Sequence, residues 1–534
     1  VTETTGVPQR SLFTRILVNT MSGAGRSIAT SAIGFLLTPI IILNLGLLQY
    51  GLWAIVGSLT GYLGLLDFGL GGAFVKFITE FVETENKAAA RQVVVFGMLF
   101  YLGFGLVLAT PVLVLAPYIV HLFKMPPAQY PEATSLMRTF FCLIVVAWIA
   151  GVPGMVLVAM HRMDLASRND FIGYVVYAGT TLAFLKLHYG IAALVIGVSA
   201  QIAVAASLQI LTASRMFGTM WHNPMTIERA ILKRLFGFGG WTQLNSLFSI
   251  INLDAGRFIA ASVASVASVS LYEIGSKLAF FAKIYPSYML SALLPAAASA
   301  DAQNDSAALD RMYAKGTRYS VFATFACAGF VIGGADPMVR VWLGKAYPSI
   351  AEIVFWITLG YAANALTGVG TTILRASGKP RYETYYTAVA MIANIVFTIP
   401  LALKFGIVGV AMGTCAGWFA GTLYFLYTYH SVRHAPWLAS IGAPLARLTL
   451  ASVVSTGAYY YVLHIPAVAH YFEYRALGLA VLLAISAVYG ALFVGLSIAL
   501  GVWVHDGPDL LVRLGYLRDG IRRKFASPGA EKPA

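Results

Sequence analysis

The chain has 534 residues, of which 59% are hydrophobic and only 11% charged. A soluble chain carries roughly a quarter charged residues, so this composition excludes a water-solvated domain and, more firmly, a disordered one. The formal net charge of +14 would point to nucleic acid in a soluble protein, and its meaning here depends on where the basic residues lie.

A bilayer core about 30 Å thick takes about 20 apolar residues per helix. Fourteen such stretches follow one another, near 27–48, 51–72, 93–116, 136–160, 170–186, 190–211, 238–262, 269–296, 318–334, 351–374, 384–402, 406–429, 444–463 and 475–503. Every peptide group in lipid must be satisfied internally, and no alternating ten-residue barrel segments occur. The expected fold class is an all-α polytopic membrane protein.

Residues 1–26 form a polar N-terminal segment. Span 1 then carries a narrow stripe of Ser27, Thr30, Ser31 and Thr38, with Arg26 at its inner end. Span 2 places Gly57, Gly61 and Gly64 on one face, which reads as a close-packing surface. The run FGLGGAF at 68–74 follows a helix rather than a strand, so it is not a phosphate loop. Cys142, Cys327 and Cys415 fall in separate spans and form neither a disulfide framework nor a metal pattern.

The segment YGIAALVIGVSAQ at 189–201 aligns with FGIVGVAMGTCAG at 405–417, with Gly190/Gly406, Ile191/Ile407, Gly197/Gly413 and Ala200/Ala416 identical. Both segments open a sixth helix. Two parallel six-helix halves follow, residues 27–213 and 238–430, with two appended helices in 431–505. Parallel repeats of this kind place substrate between halves that rock against each other. The connection 214–237 contains NPMTIERAILKRLF, an amphipathic helix joining the halves on the inner leaflet. The tail 506–534 repeats that character before its polar end.

Spans 7 and 8 carry intramembrane charge, a functional hypothesis by default. At 100° per residue, Glu273, Ser276, Lys277, Lys283, Ser287 and Ser291 share an arc of about 120°, so span 8 must line protein or a water-filled cavity. Glu273 and Lys277 stand at i, i+4 and pair. Span 7 adds Asp254 and Arg257, with Asn245 and Asn252 on another face. Three cations (Arg257, Lys277, Lys283) therefore face two acids (Asp254, Glu273), and Arg26 and Arg375 add to the excess at the inner mouth. A cation surplus in a membrane cavity suits an anionic group such as a diphosphate. Asp254 or Glu273 is the candidate for proton or Na⁺ coupling, with no other cofactor expected. Tyr285, Tyr288, Tyr382, Tyr385 and Tyr386 are candidates for stacking sugars.

With the N-terminus inside, 26 of the 36 basic residues fall in inner segments and only 6 in outer loops. That bias is the positive-inside rule. It puts both termini in the cytoplasm and removes nucleic acid as a partner.

The stretches LGLLQYGLWAIVGSLTGYLGLLDFGL (45–70), WLGKAYP (342–348) and LRASGKPRYETYYTAVAMIANIVFTIPLALKFGIVGVAMGT (374–414) resemble the Wzx-like polysaccharide-exporter branch of the multidrug/oligosaccharidyl-lipid/polysaccharide (MOP) superfamily. The resemblance implies 6+6+2 helices in a V-shaped, MATE-like pair of lobes in the bacterial inner membrane. It also implies flipping of a polyprenyl-diphosphate-linked oligosaccharide, an O-antigen or other surface-polysaccharide repeat unit. Partners would be that substrate, membrane lipids, and a polymerase with its chain-length machinery, around a monomeric carrier. The alternatives are a cation-coupled exporter of small organic cations, whose cavity should be acid-dominated, a membrane enzyme acting on lipid-linked sugars, and a non-transporting scaffold.

Overall fold

The computed structural model describes residues 12–65, 70–220, 240–433 and 442–503, and among these no strand occurs. The helices are α1 (Leu12–Leu65), α2 (Leu70–Glu83), α3 (Lys87–His121), α4 (Tyr130–Ala159), α5 (Met163–Lys186) and α6 (Ala192–Phe217). They continue with α7 (Gly240–Ile259), α8 (Val266–Ala302), α9 (Ser306–Gly333), α10 (Ala335–Leu343), α11 (Pro348–Asn364), α12 (Gly368–Ala376) and α13 (Arg381–Arg433). The last are α14 (Ala443–Leu463), α15 (Pro466–Ala469) and α16 (Arg475–Ala499). The amphipathic linker helix from Asn223 onward and the tail after 506 lie outside the described residues.

Seven helices are long and apolar enough to cross a bilayer, or ten if each sharply bent pair is one span. Two of the seven are double. α1 is broken at Gly46 (φ 77) and α13 at Gly406 (φ 59). In a straight helix Thr38 and Tyr50 would stand about 18 Å apart at 1.5 Å per residue, yet both bond one ammonium, that of Lys277. The chain therefore turns back at Gly46. Counting both halves of α1 and α13, and adding α5 and α8, gives the fourteen expected spans.

At Gly406 the turn is closed by a ladder of glycines. Gly409, Gly413, Gly417 and Gly421, one turn apart, sit against Leu401, Thr398, Asn394 and Ala390 in reverse order. A Cβ on Gly413 would collide with both the backbone and the hydroxyl of Thr398. Lipid tails supply no hydrophobic drive between helices, so close backbone approach through small residues provides the packing. The α5–α6 turn repeats the device. Gly190 has φ +60 where Gly406 has +59, and a Cβ on Gly197 would collide with Thr181 Oγ1 as one on Gly413 would with Thr398 Oγ1. The glycine pairs aligned in sequence thus share backbone conformation and contact type. Gly57, by contrast, has nothing within 4 Å of where a Cβ would stand. It faces a cavity instead of packing, and the surroundings of Gly61 and Gly64 lie outside the described residues.

α1 to α6 pack on one another, as do α7 to α13, while α14 and α16 lie against α9 and α10. This is the two-lobe arrangement with two appended helices. The lobes meet where α1 packs on α7 and α8. Three features depart from the expected spans. α1 begins at Leu12 rather than 27, and α2 extends the chain beyond span 2 as a separate helix. Span 10 is split into α11 and α12 with a 42° bend. There Thr367 Oγ1 donates to the Asn364 carbonyl (2.8 Å), a side-chain bond that competes with the helix ladder. Of the three free cysteines, Cys415 is buried and Cys142 is exposed.

Candidate functional site

Two adjoining cavities lie on the lobe boundary. The first, ≈ 450 Å³, is lined by α1 (Thr30, Ser31, Gly34, Phe35), by Tyr174 of α5, by α7 and by α8. The second, ≈ 390 Å³, is lined on its N-lobe side by both halves of α1, including Thr38, Tyr50, Trp53 and Gly57. Gly34, Tyr174, Asp254, Arg257, Glu273 and Lys277 line both. The four charged residues among them form a wall that the two cavities share.

The wall is one chain of ion pairs. Arg257, at the end of α7, bonds Asp254 one turn earlier. It also donates to Glu273 Oε2 of α8 from Nε (2.8 Å) and Nη2 (2.7 Å). Glu273 Oε1 lies 3.9 Å from Lys277 Nζ, one turn further along α8. That ammonium crosses to the N-lobe and donates to Tyr50 Oη (2.7 Å) and Thr38 Oγ1 (3.1 Å). Charge-assisted bonds of this type are about twice as strong as neutral ones, and they hold both acids and both bases in a membrane interior where a lone charge would be costly.

Asp254, Arg257, Glu273, Ser276, Lys277, Thr38, Thr30 and Ser31 therefore come together as the sequence stripes predict. Other expected residues do not. Lys283 lines neither cavity; its ammonium sits over the rings of Tyr361 (5.1 Å) and Trp418 (4.7 Å) inside the C-lobe. Arg26 is paired within the N-lobe to Asp170 (2.7 Å), which also accepts from Gln209 (2.6 Å). Arg375 is paired within the C-lobe to Glu383, with Nε 3.0 Å from Oε2.

The expected surplus of three cations over two acids is thus corrected to two against two in the cavity wall. Helix azimuth placed Lys283 on the stripe, but cavity lining depends on what packs opposite. Asn245 and Asn252 also line neither cavity. Asn245 accepts from Thr387 (2.8 Å), and Asn252 accepts from Asn394 (2.8 Å), both across the α7–α13 interface. Ser287 turns back on the Lys283 carbonyl (2.8 Å), and the side chains of Ser291, Tyr285 and Tyr288 lie outside the described residues. Tyr386 is bonded by Asn364 (2.6 Å) within the C-lobe, and neither it, Tyr382 nor Tyr385 lines either cavity.

The aromatic lining comes from residues not singled out in sequence: Phe35, Tyr174, Tyr272, Phe280, Phe281 and Tyr361 around the first cavity. Nothing local marks Tyr50 as the partner of Lys277, 227 residues away. Asp170 was legible as another acid at the start of a span. Among the described residues no group of three or more His, Cys, Asp or Glu could hold a metal.

Among the described residues, the lobes are bonded to each other at the face that carries Gly46 and few basic residues. Lys124, in the α3–α4 loop, exchanges backbone hydrogen bonds with the α7–α8 turn, its N–H to Ala261 (3.0 Å) and its carbonyl from Val266 (3.1 Å). Its ammonium reaches the Val263 carbonyl (2.6 Å). Ser270 Oγ donates to the Leu47 carbonyl beside Gly46.

Residues 45–352 match the family described as polysaccharide biosynthesis protein. A putative O-antigen transporter of Shigella flexneri is 20% identical over 395 residues, 72% of this chain and 89% of its own length. Among solved structures, the lipid II flippase MurJ in an inward closed conformation aligns with a TM-score of 0.66 at 16% identity, over 87% of this chain and 97% of that one. An inward-facing multidrug-resistance MATE transporter of the MOP superfamily aligns with a TM-score of 0.61 at 14% identity, over 80% and 98%.

Proposed function

The chain belongs to the polysaccharide biosynthesis protein family, and from that premise we propose that it flips a polyprenyl-diphosphate-linked oligosaccharide across the bacterial inner membrane by alternating access. Family membership and the MOP fold support a membrane carrier of lipid-linked glycan. The O-antigen or other surface repeat unit is the finer reading, favoured by the Shigella relative. Both termini lie in the cytoplasm, so the face with few basic residues is the outer one, and the sealed contacts there describe a carrier closed to the outside.

The observation that carries the reading is the wall of Arg257 and Lys277 between the cavities. Both cations reach the cavity, and each is held by a carboxylate rather than by solvent. A diphosphate entering from the inside would take the place of Glu273 on the two bases, making charge-assisted bonds of the same kind. The prenyl tail would stay in lipid. Because the empty wall is balanced, binding an anion leaves Glu273 or Asp254 without its base. Uptake of a proton or Na⁺ by that acid restores neutrality, which is where coupling to an ion gradient enters.

The test is replacement of each base by glutamine. Arg257→Gln and Lys277→Gln should each reduce surface-polysaccharide export by at least tenfold, with lipid-linked glycan accumulating on the inner leaflet and folded protein still present in the membrane. Undiminished export by both variants would sink the assignment.

A further inference from the structure

The motif WLGKAYP, at the end of α10, is not used by the substrate site, yet its first residue spans the lobes. Trp342 Nε1 donates to the main-chain carbonyl of Phe35 in α1 at 2.9 Å. The two rings stack with centroids 3.9 Å apart and planes within 3°. Phe35 also meets Phe281 of α8 edge to face at 5.6 Å, and both phenyl rings line the first cavity.

The acceptor is an unusual one. Phe35 is four residues before Pro39, which lies inside α1. Proline has no N–H, so the Phe35 carbonyl lacks the donor that a helix would otherwise supply. In lipid an unsatisfied carbonyl is costly, and the side chain that satisfies it comes from the other lobe.

From this geometry we infer that Trp342 is a latch between the lobes: its indole N–H, placed on the carbonyl that Pro39 leaves open, holds them in the conformation that is closed at the outer face. Outward opening carries α1 away from α10. The bond and the stack must then break together, and the Phe35 carbonyl is left for water entering the opened cavity. The latch lies about three turns of α1 from Gly46, deeper than the Lys124 backbone pairing, and it can be removed by substitution. The inference rests on the alternating-access reading and adds the element that sets the balance between its two end states.

The experiment reads that balance from both sides of the membrane in the full-length protein, with Cys142, Cys327 and Cys415 replaced by alanine. Single cysteines are placed at Ile41, which lines the second cavity and is 4% exposed, and at Thr30, nearer the inner end of α1. A membrane-impermeant maleimide is applied from the outer side for Ile41→Cys and from the inner side for Thr30→Cys. Trp342→Phe keeps a ring on Phe35 and removes only the N–H.

Labelling of Ile41→Cys should rise about three- to tenfold, the equilibrium equivalent of one neutral hydrogen bond, while labelling of Thr30→Cys falls. Pro39→Ala gives α1 its own N–H for the same carbonyl and should shift both rates in the same directions. The double variant should shift them no further than the larger single change, since both act on one acceptor. Unchanged rates, with Ile41→Cys still reacting slowly from outside in the otherwise unaltered protein, would overturn the latch and leave alternating access standing. A rise at both positions would also overturn it, as general loosening. No outside reaction at Ile41→Cys in any variant would count against the latch and against alternating access together.

Discussion

Glu273→Gln separates an anion carrier from a cation carrier in one substitution. Glu273 Oε2 takes two bonds from Arg257, at 2.8 and 2.7 Å, and Oε1 stands 3.9 Å from the Lys277 ammonium. Unit charges about 4 Å apart attract by about 4 kcal/mol at an effective dielectric near 20. Most of that gross attraction is offset by desolvation, and a charge-assisted hydrogen bond contributes about 1.5–3 kcal/mol net. A diphosphate must displace this carboxylate from both bases. Glutamine keeps the shape and the acceptor oxygen but removes the charge, so the displacement costs less by about that amount. The dissociation constant for a short-chain polyprenyl diphosphate should fall about tenfold to a hundredfold. Equilibrium titration of the purified protein in lipid nanodiscs measures it. Export in cells should fall at the same time, because the carboxylate that would reclaim the bases and expel the product is gone. Weaker diphosphate binding by Glu273→Gln would refute the exchange. So would lost affinity for an organic cation with diphosphate binding unchanged, which is the behaviour of a cation exporter whose binding group is Glu273.

Lys283 provides an opposite control. Its ammonium is held by two rings, contacts that contribute about 0.5–2 kcal/mol, and it lines neither cavity. Lys283→Met should leave export within about twofold of normal (set by the precision of cell-based assays); a loss matching that of Arg257→Gln would move the substrate site into the C-lobe. The glycine ladder predicts stability rather than transport. Gly413→Ala forces a methyl into Thr398 and should destabilise by about 1–3 kcal/mol, seen as a lowered unfolding temperature in detergent. Gly457→Ala, with nothing within 4 Å of the new carbon, should be neutral or stabilising by up to about 1 kcal/mol. Equal shifts in the two variants would remove the packing explanation.

Much of the fold was legible because its determinants are local. A bilayer demands apolar runs of fixed length, so hydropathy was enough to read an all-helical, many-span membrane chain. Gly190 and Gly406 were found by alignment because the reversal at each needs a positive φ, which glycine adopts without strain. The α2 helix was missed because its first residues fall inside the apolar run counted as span 2, and the bend in span 10 because it depends on a single threonine bond.

The site divides in the same way. Periodicity along span 8 was enough to show that Glu273 and Lys277 share a face and that this face is not toward lipid. The Arg257–Asp254 and Lys277–Glu273 spacings are one turn, so those pairs were also within reach. Partners across helices were not. Asp170 takes Arg26 from 144 residues away, Glu383 takes Arg375, and the rings of Tyr361 and Trp418 take Lys283. Each of these removed a cation from the surplus that the sequence alone implied. The sequence by itself therefore determined the solvent, the spans, the hairpin glycines and the polar faces, because helix geometry is a property of neighbours in the chain. Only the tertiary structure decided which charges meet an opposite charge and which meet a cavity. Side-chain direction is set by the helix, but what lies in that direction is set by how the lobes pack.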